Sequence, residues 1–192
     1  MKEIILIGAG GHCKACIDVI EEEKKFKILK IFDKDKKLKT LFNYKVILEK
    51  HLNNSIKINY ALITVGQIKN SDIRYNLFKK LKKKGFRMPK IISPYAHISK
   101  HASVGEGTIV MHNAVINAGA SIGKNCIINS SSLIEHDVTI GDHTHISTKA
   151  VINGGSKIGS KVFFGSSSVT KENIRIKDKS LISANKFIKK NI

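Results

Sequence analysis

The segment SSLIEHDVTIGDHTHIS (Ser131–Ser147) gathers His136, His143 and His145 with Glu135, Asp137 and Asp142 in seventeen residues. Three kinds of surface have this composition. A histidine beside a carboxylate is the minimal general base, because the acid fixes the ring and stabilises the imidazolium. Three histidines could instead serve as zinc ligands, although the H-x-H pair lacks an obvious third partner in a matching column. Solvated polar decoration is the third possibility. The choice depends on how the segment is wound.

A short repeat determines that winding. From Ile98 every sixth residue is aliphatic, through Val104, Val110 and Ile116 to Ile158, and Phe164 continues the series. Four places after each stands a small or β-branched residue, such as Ala102, Thr108, Ala114 and Ala120. Hexapeptides of this kind build a parallel β-helix. In the left-handed form three hexapeptides make one triangular coil, so residues 18 apart stack. The repeat covers roughly residues 91–186; its register fades at Thr170 and returns at Ile176 and Ile182.

On this winding His136 and Asp137 lie two and three places after Ile134, at or near a corner of the prism. Their stacking neighbours are Ala118–Gly119 and Gly154–Gly155, nearly free of side chains, which predicts a notch with room for a ligand. His145 is one short edge away on the same coil. Spacing leaves open whether Glu135 or Asp137 orients the histidine. The zinc alternative resembles the arrangement of the β-helical carbonic anhydrases.

The elements before the repeat are of another type. KEIILIGAGGH is a buried strand running into a glycine turn, followed by a helix from about His12 to Lys25 and the strand FKILKIFD ending at Asp33. INYALITVG is a further strand, and Ser71 caps a helix through Lys84 that stops at Gly85. This alternation predicts a small parallel sheet of the Rossmann kind. FRMPKIISP (Phe86–Pro94) reads as a linker. The expected architecture is an α/β Rossmann-like domain over 1–88 and a left-handed parallel β-helix over 89–192.

GAGGH opens like a dinucleotide fingerprint, but Cys13 stands where its third glycine belongs and the unit is short for a dinucleotide site, so NAD is not expected. Exposed N–H groups at a helix start still favour a phosphate or other anion, and Asp33 could take ribose or base hydrogen bonds. The bland alternative is a tight turn with a capping His12.

Composition narrows the class. The net charge of +19 comes from 31 lysines and three arginines (Arg74, Arg87, Arg175), spread along the chain with no groove-binding motif, so nucleic acid is not the expected partner. The charge would steer anionic small molecules. Cys13 and Cys16 form a lone C-x-x-C on one helix face, better suited to packing than to redox chemistry. No apolar run is long enough to span a bilayer, and the start does not read as a signal peptide, so membrane insertion is not expected and a cytoplasmic location is.

Together ILIGAGGHCK, TVGQIKNSDIRYNLFKKLKKKGF, IISPYAHIS, SSLIEHDVTIGDHTHIS and VINGGSKIG resemble the NeuD/PglD-type sugar acetyltransferases over nearly the whole chain. The resemblance implies a homotrimer that uses acetyl-CoA, with no metal, to acetylate a nucleotide-linked amino sugar for surface glycans. It implies His136 as general base and Asp137 as the acid raising its basicity. It places His145, Gly154, Ser166 and Ala184 along acetyl-CoA, and Gly10, Gly11, His12, Asp33 and Gly66 at the nucleotide-sugar. The favoured acceptor is a UDP- or dTDP-linked 4-amino-4,6-dideoxy sugar; the alternatives are O-acetylation of a sialic or legionaminic-type acid, a metal hydratase, or a silent hexapeptide scaffold. The chain closes with KDKSLISANKFIKKNI where family members commonly carry further coil and a G-x-P-A-K type tail, so the distal cofactor contact is expected to differ.

Overall fold

The computed structural model describes residues 1–52 and 58–192. The chain divides into two compact units, Met1–Gly66 with Asp72–Pro89, and Gln67–Ser71 with Lys90–Ile192.

In the first unit β1 (Lys2–Ile7) runs between β2 (Phe26–Asp33) and β5 (Tyr60–Ile63), parallel to both. Ile4, Ile5, Leu6 and Ile7 are all buried, as expected for a parallel strand covered on both faces. A hairpin missing from the sequence reading, β3 (Thr40–Leu41) and β4 (Tyr44–Leu48), extends the sheet in the order β3-β4-β2-β1-β5. Helix α1 (Gly11–Glu23) buries Cys13, Cys16, Ile17 and Ile20, a helical stripe, and ends where Lys24 turns left-handed and donates to the Ile20 carbonyl. Helix α2 (Asp72–Lys83) buries Leu77, Phe78 and Leu81. Its Arg74 is also buried, and one guanidinium nitrogen donates to the carbonyls of Ile63, the last residue of β5, and Val65, two places beyond it, at 2.8 Å each.

The segment read as a linker is built into structure. Phe86 and Met88 join the core of the first unit, Arg87 bridges to Tyr60, and Ile91–Ile92 is already the first strand of the solenoid. The reason is its apolar content, which a solvent-exposed linker would leave uncovered.

The second unit is a parallel β-helix of two-residue strands from Ile91–Ile92 to Phe187–Ile188, in three sheets of 6, 5 and 6 strands. Pairing is in register at the expected spacing, for example Leu133 with Val151 and Ile134 with Ile152. The aliphatic series fills the prism, from Val110 and Ile116 to Ile176 and Ile182. The register does not fade at Thr170: that residue occupies an interior position, fully buried, and the coils continue beyond it. A threonine matches in branching and size the valine found elsewhere in the series, at Val104 and Val110, so the coil accepts it when its hydroxyl finds a partner.

Every corner residue three places after an interior position, from Gly107 to Asn185, has positive φ. Most are not glycine, at a cost of about 1 kcal/mol each. From Gly119 on, the corner N–H also bonds the coil before, as in Asp137 N–H to Ala118 O at 3.1 Å and Asn173 N–H to Gly154 O at 2.9 Å.

Candidate active site

The corner between Leu133–Ile134 and Thr139–Ile140 carries the central pair. His136 Nδ1 lies 2.9 Å from Asp137 Oδ2, and both side chains are exposed, at 67% and 72%. Glu135 is engaged elsewhere, accepting from Asn117 Nδ2 at 2.9 Å, so Asp137 is the carboxylate that orients the ring. A carboxylate only accepts, so Nδ1 carries the hydrogen and Nε2 is the basic nitrogen of the neutral ring. The hydrogen bond to Asp137, with the charges of Asp137 and Glu135, raises the His136 pKa above its ordinary value.

The expected notch is filled by the pair itself. A Cβ at Gly154 would fall 2.6 Å from His136 Nε2, and one at Gly119 would collide with Asp137 Oδ1. The ring therefore lies over the following coil and the carboxylate over the preceding one. Glycine is required in those two places because the dyad uses the space.

His145 is of another kind. It is only 7% exposed, in the strand His145–Ile146, with its ring edge-on to Phe163. Its Nδ1 donates to the Gln67 carbonyl at 2.6 Å, and its Nε2 accepts from Asn129 Nδ2 at 3.1 Å. The Asn129 amide is oriented by Ser130 N–H, which donates to Oδ1 at 2.8 Å. His145 is thus held as the neutral Nδ1–H tautomer. Gln67 is itself buried and its Nε2 donates to the His143 carbonyl at 2.9 Å. His143 Nδ1 lies 2.9 Å from Asn125 Nδ2. Among the described residues no three histidine, cysteine or acidic side chains are grouped to hold a metal ion.

Ser166 Oγ is 2.9 Å from Ser147 Oγ, and the Asn185 N–H donates to the Ser166 carbonyl, so Ser166 and Ala184 stack at one corner of the prism. Gly154 stands at a different corner, with His136. Within one chain the structure brings His136, Asp137 and Gly154 together and leaves Ser166 and Ala184 across a sheet face from them. That face presents Val115, Leu133, Val151 and Val169, half-buried, and Phe187, 57% exposed.

In the first unit the glycine turn follows β1 at the point where its neighbours diverge, β2 on one side and β5 on the other. Gly8 has φ +108 and no room for a Cβ, which would meet Val65. Gly10, with no side-chain cap at the start of α1, and Gly11 both face open space. Gly66 lies beside His12, a Cβ there falling 3.5 Å from the His12 Cβ. Asp33 Oδ2 accepts the Ala9 N–H at 2.6 Å and Oδ1 the Asp35 N–H at 2.8 Å, so its first task is to hold the turn. Burial pushes the Cys13 thiol up to about 11 and raises Cys16 further, so neither is a thiolate at neutral pH.

The family described as PglD N-terminal domain matches residues 3–81, and the family described as GMPPB C-terminal domain matches residues 92–191. The second match spans more than half of the chain. Its solenoid belongs to the GMPPB C-terminal domain family. Solved acetyltransferases share the whole architecture. A histidine-to-asparagine variant of perosamine N-acetyltransferase from Caulobacter crescentus, in complex with CoA and GDP-perosamine, superposes with TM-score 0.94 at 22% identity, over 100% of this chain and 90% of that one. The acetyltransferase domain of PglB from Neisseria gonorrhoeae, in complex with acetyl coenzyme A, gives TM-score 0.87 at 25% identity, over 97% and 92%.

Several residues around these side chains carried no signal in the repeat. Gln67 lies in the loop sequence VGQIKN, and Asn129 and Asn153 occupy outward positions where the hexapeptide leaves residue type free. Only the folded chain brings Gln67, from that loop, and Asn129, from the preceding coil, to the two ring nitrogens of His145.

Proposed function

We propose that the protein transfers the acetyl group of acetyl-CoA to the amine of a UDP- or dTDP-linked 4-amino-4,6-dideoxy sugar, as a cytoplasmic step in surface glycan synthesis. The observation that carries this is the His136–Asp137 pair, with Nδ1 tied to the carboxylate and the basic Nε2 on an exposed ring. The sugar amine attacks the thioester carbonyl while Nε2 removes its proton. A backbone N–H near the corner stabilises the oxyanion. Collapse breaks the C–S bond, and the imidazolium returns the proton to the CoA sulfur, leaving an N-acetyl sugar and CoA.

His145, Gly154, Ser166 and Ala184 are proposed to follow the cofactor. His145 offers a buried ring of fixed tautomer, and Ser166 and Ala184 offer small side chains on adjacent coils. Because Gly154 and Ser166 stand at opposite edges of one sheet face, a complete site needs that face of one copy against another, which is the basis for a homotrimer. The apolar column on that face supports such burial. The open Gly10–Gly11 turn, His12, Gly66 and Asp33 are proposed to hold the nucleotide-sugar, with no nucleic acid and no membrane insertion involved. Among the described residues no helix is long and apolar enough to cross a membrane.

Thiol release with acetyl-CoA, run against UDP-, dTDP- and GDP-linked 4-amino sugars and free sialic acids, tests the reading. Turnover of the amino sugars, with His12→Ala chiefly raising KM for the sugar, is the expected result. Turnover of sialic acid alone would replace it with O-acetylation. Light scattering should give three chains, and a fully active monomer would remove the shared site.

A further inference from the structure

The face of the solenoid that leads into the His136 corner has one irregular rung. In a regular coil, the residue after each interior position donates its N–H to the interior carbonyl one coil on. Asn117 gives to Ile134 and Glu135 to Ile152, both at 2.9 Å, and the other two faces keep the same pattern, as in Gly141 to Ile158 at 2.8 Å and Ser147 to Phe164 at 2.9 Å. Among the described residues the pattern fails once. The Asn153 N–H goes to the Thr170 hydroxyl at 2.9 Å, and the Asn153 side-chain Nδ2 takes the Thr170 carbonyl at 2.7 Å. Val151 remains opposite Val169, but the pairing of Ile152 with residue 170 is lost. One coil on, Lys171 N–H to Ile188 O at 2.8 Å restores the ladder.

Thr170 is also the one polar residue in an interior series that is otherwise aliphatic or aromatic from Ile92 to Ile188. An aliphatic residue there would return Asn153 N–H to the ordinary rung. The break falls immediately before Gly154, the residue over which the His136 ring lies, and a Cβ at Gly154 would be 2.6 Å from Nε2 and 2.7 Å from Cε1. The far side of Gly154 is regular, its carbonyl accepting from Asn173 N–H at 2.9 Å. The one displaced rung of the solenoid is therefore the rung that carries the floor of the dyad.

We propose that Thr170 and Asn153 are a positioning pair: their exchanged hydrogen bonds set the Asn153–Gly154 peptide, and through it the seat of the His136 ring. Neither side chain reaches the reacting atoms. This deepens the acetyltransferase reading and rests on it for the catalytic consequence, but not for the structural one. Thr170→Val keeps the shape and removes the hydroxyl, whereas Thr170→Ser keeps the hydroxyl.

The test follows the His136 ring resonance by NMR through a pH titration, alongside steady-state kinetics. In Thr170→Val the His136 chemical shift and titration midpoint should move. With them kcat should fall about tenfold while KM for both substrates stays within about twofold, the pattern of a misplaced group rather than lost binding. Thr170→Ser should restore both readouts. Should Thr170→Val fail to fold, Asn153→Ala removes one of the two bonds and should move the same resonance in the same direction. An unmoved His136 resonance in either folded variant overturns the proposal, whatever happens to the melting temperature. The resonance needs no turnover: a protein inactive on every amino sugar would sink the functional reading and still decide the positioning pair.

Discussion

The Nε2 edge of His136 rests against Gly154 one coil along the solenoid, where a Cβ would fall 2.6 Å from that nitrogen. The dyad is therefore shaped by a residue 18 places away in sequence. Gly154→Ala must push the ring off its seat. The His136 ring is mostly exposed, so folding stability should hardly change while kcat falls at least about tenfold, a misplacement effect. Steady-state kinetics and thermal melts of the same sample check this; an alanine variant with normal kcat and raised KM for acetyl-CoA would instead make Gly154 a purely binding residue.

The pH profile should report the dyad. A general base works from its neutral form, and Asp137 raises the His136 pKa by hydrogen bond and charge. In the native protein kcat/KM should rise with pH through that raised value, above the ordinary histidine value. Asp137→Asn removes the charge, so the acid limb should move to lower pH even as kcat drops, since the tautomer is no longer enforced. His136→Ala should lower kcat by roughly 10²–10⁴, the usual worth of a positioned base. An acid limb that stays in place in Asp137→Asn would detach the carboxylate from the base.

The glycine turn separates fold from ligand. Gly8 has positive φ and its Cβ would meet Val65 Cγ2 at 2.5 Å, so Gly8→Ala should destabilise the protein by about 1–3 kcal/mol in urea unfolding. Gly10→Ala and Gly11→Ala meet nothing within 4 Å and should leave stability nearly unchanged. If an anionic acceptor approaches those amides, the same two variants should raise KM for the nucleotide-sugar severalfold. Unchanged KM in both would move the acceptor away from the turn.

The hexapeptide period of residues 98–164 by itself determined a β-helix, because an interior that admits one aliphatic and one small or β-branched side chain per six residues leaves a mark on every coil. The same period placed His136 and Asp137 at a corner. Buried β1 and the strand Phe26–Asp33 were legible for a similar reason: sustained apolar runs between turn residues have few other uses. Spacing left Glu135 and Asp137 open and the family resemblance favoured Asp137; the tertiary structure supplied the physical reason, the Asn117 bond from the coil below that takes Glu135 away. It alone converted the supposed notch into the seat of the dyad, fixed the tautomer of His145 through Gln67 and Asn129, and turned the apparent loss of register at Thr170 into a hydrogen-bonded rung. Burial patterns repeat along a chain and can be read from it. Hydrogen bonds between outward-facing polar groups join residues 16 to 78 places apart, and no local pattern records which partner each one finds.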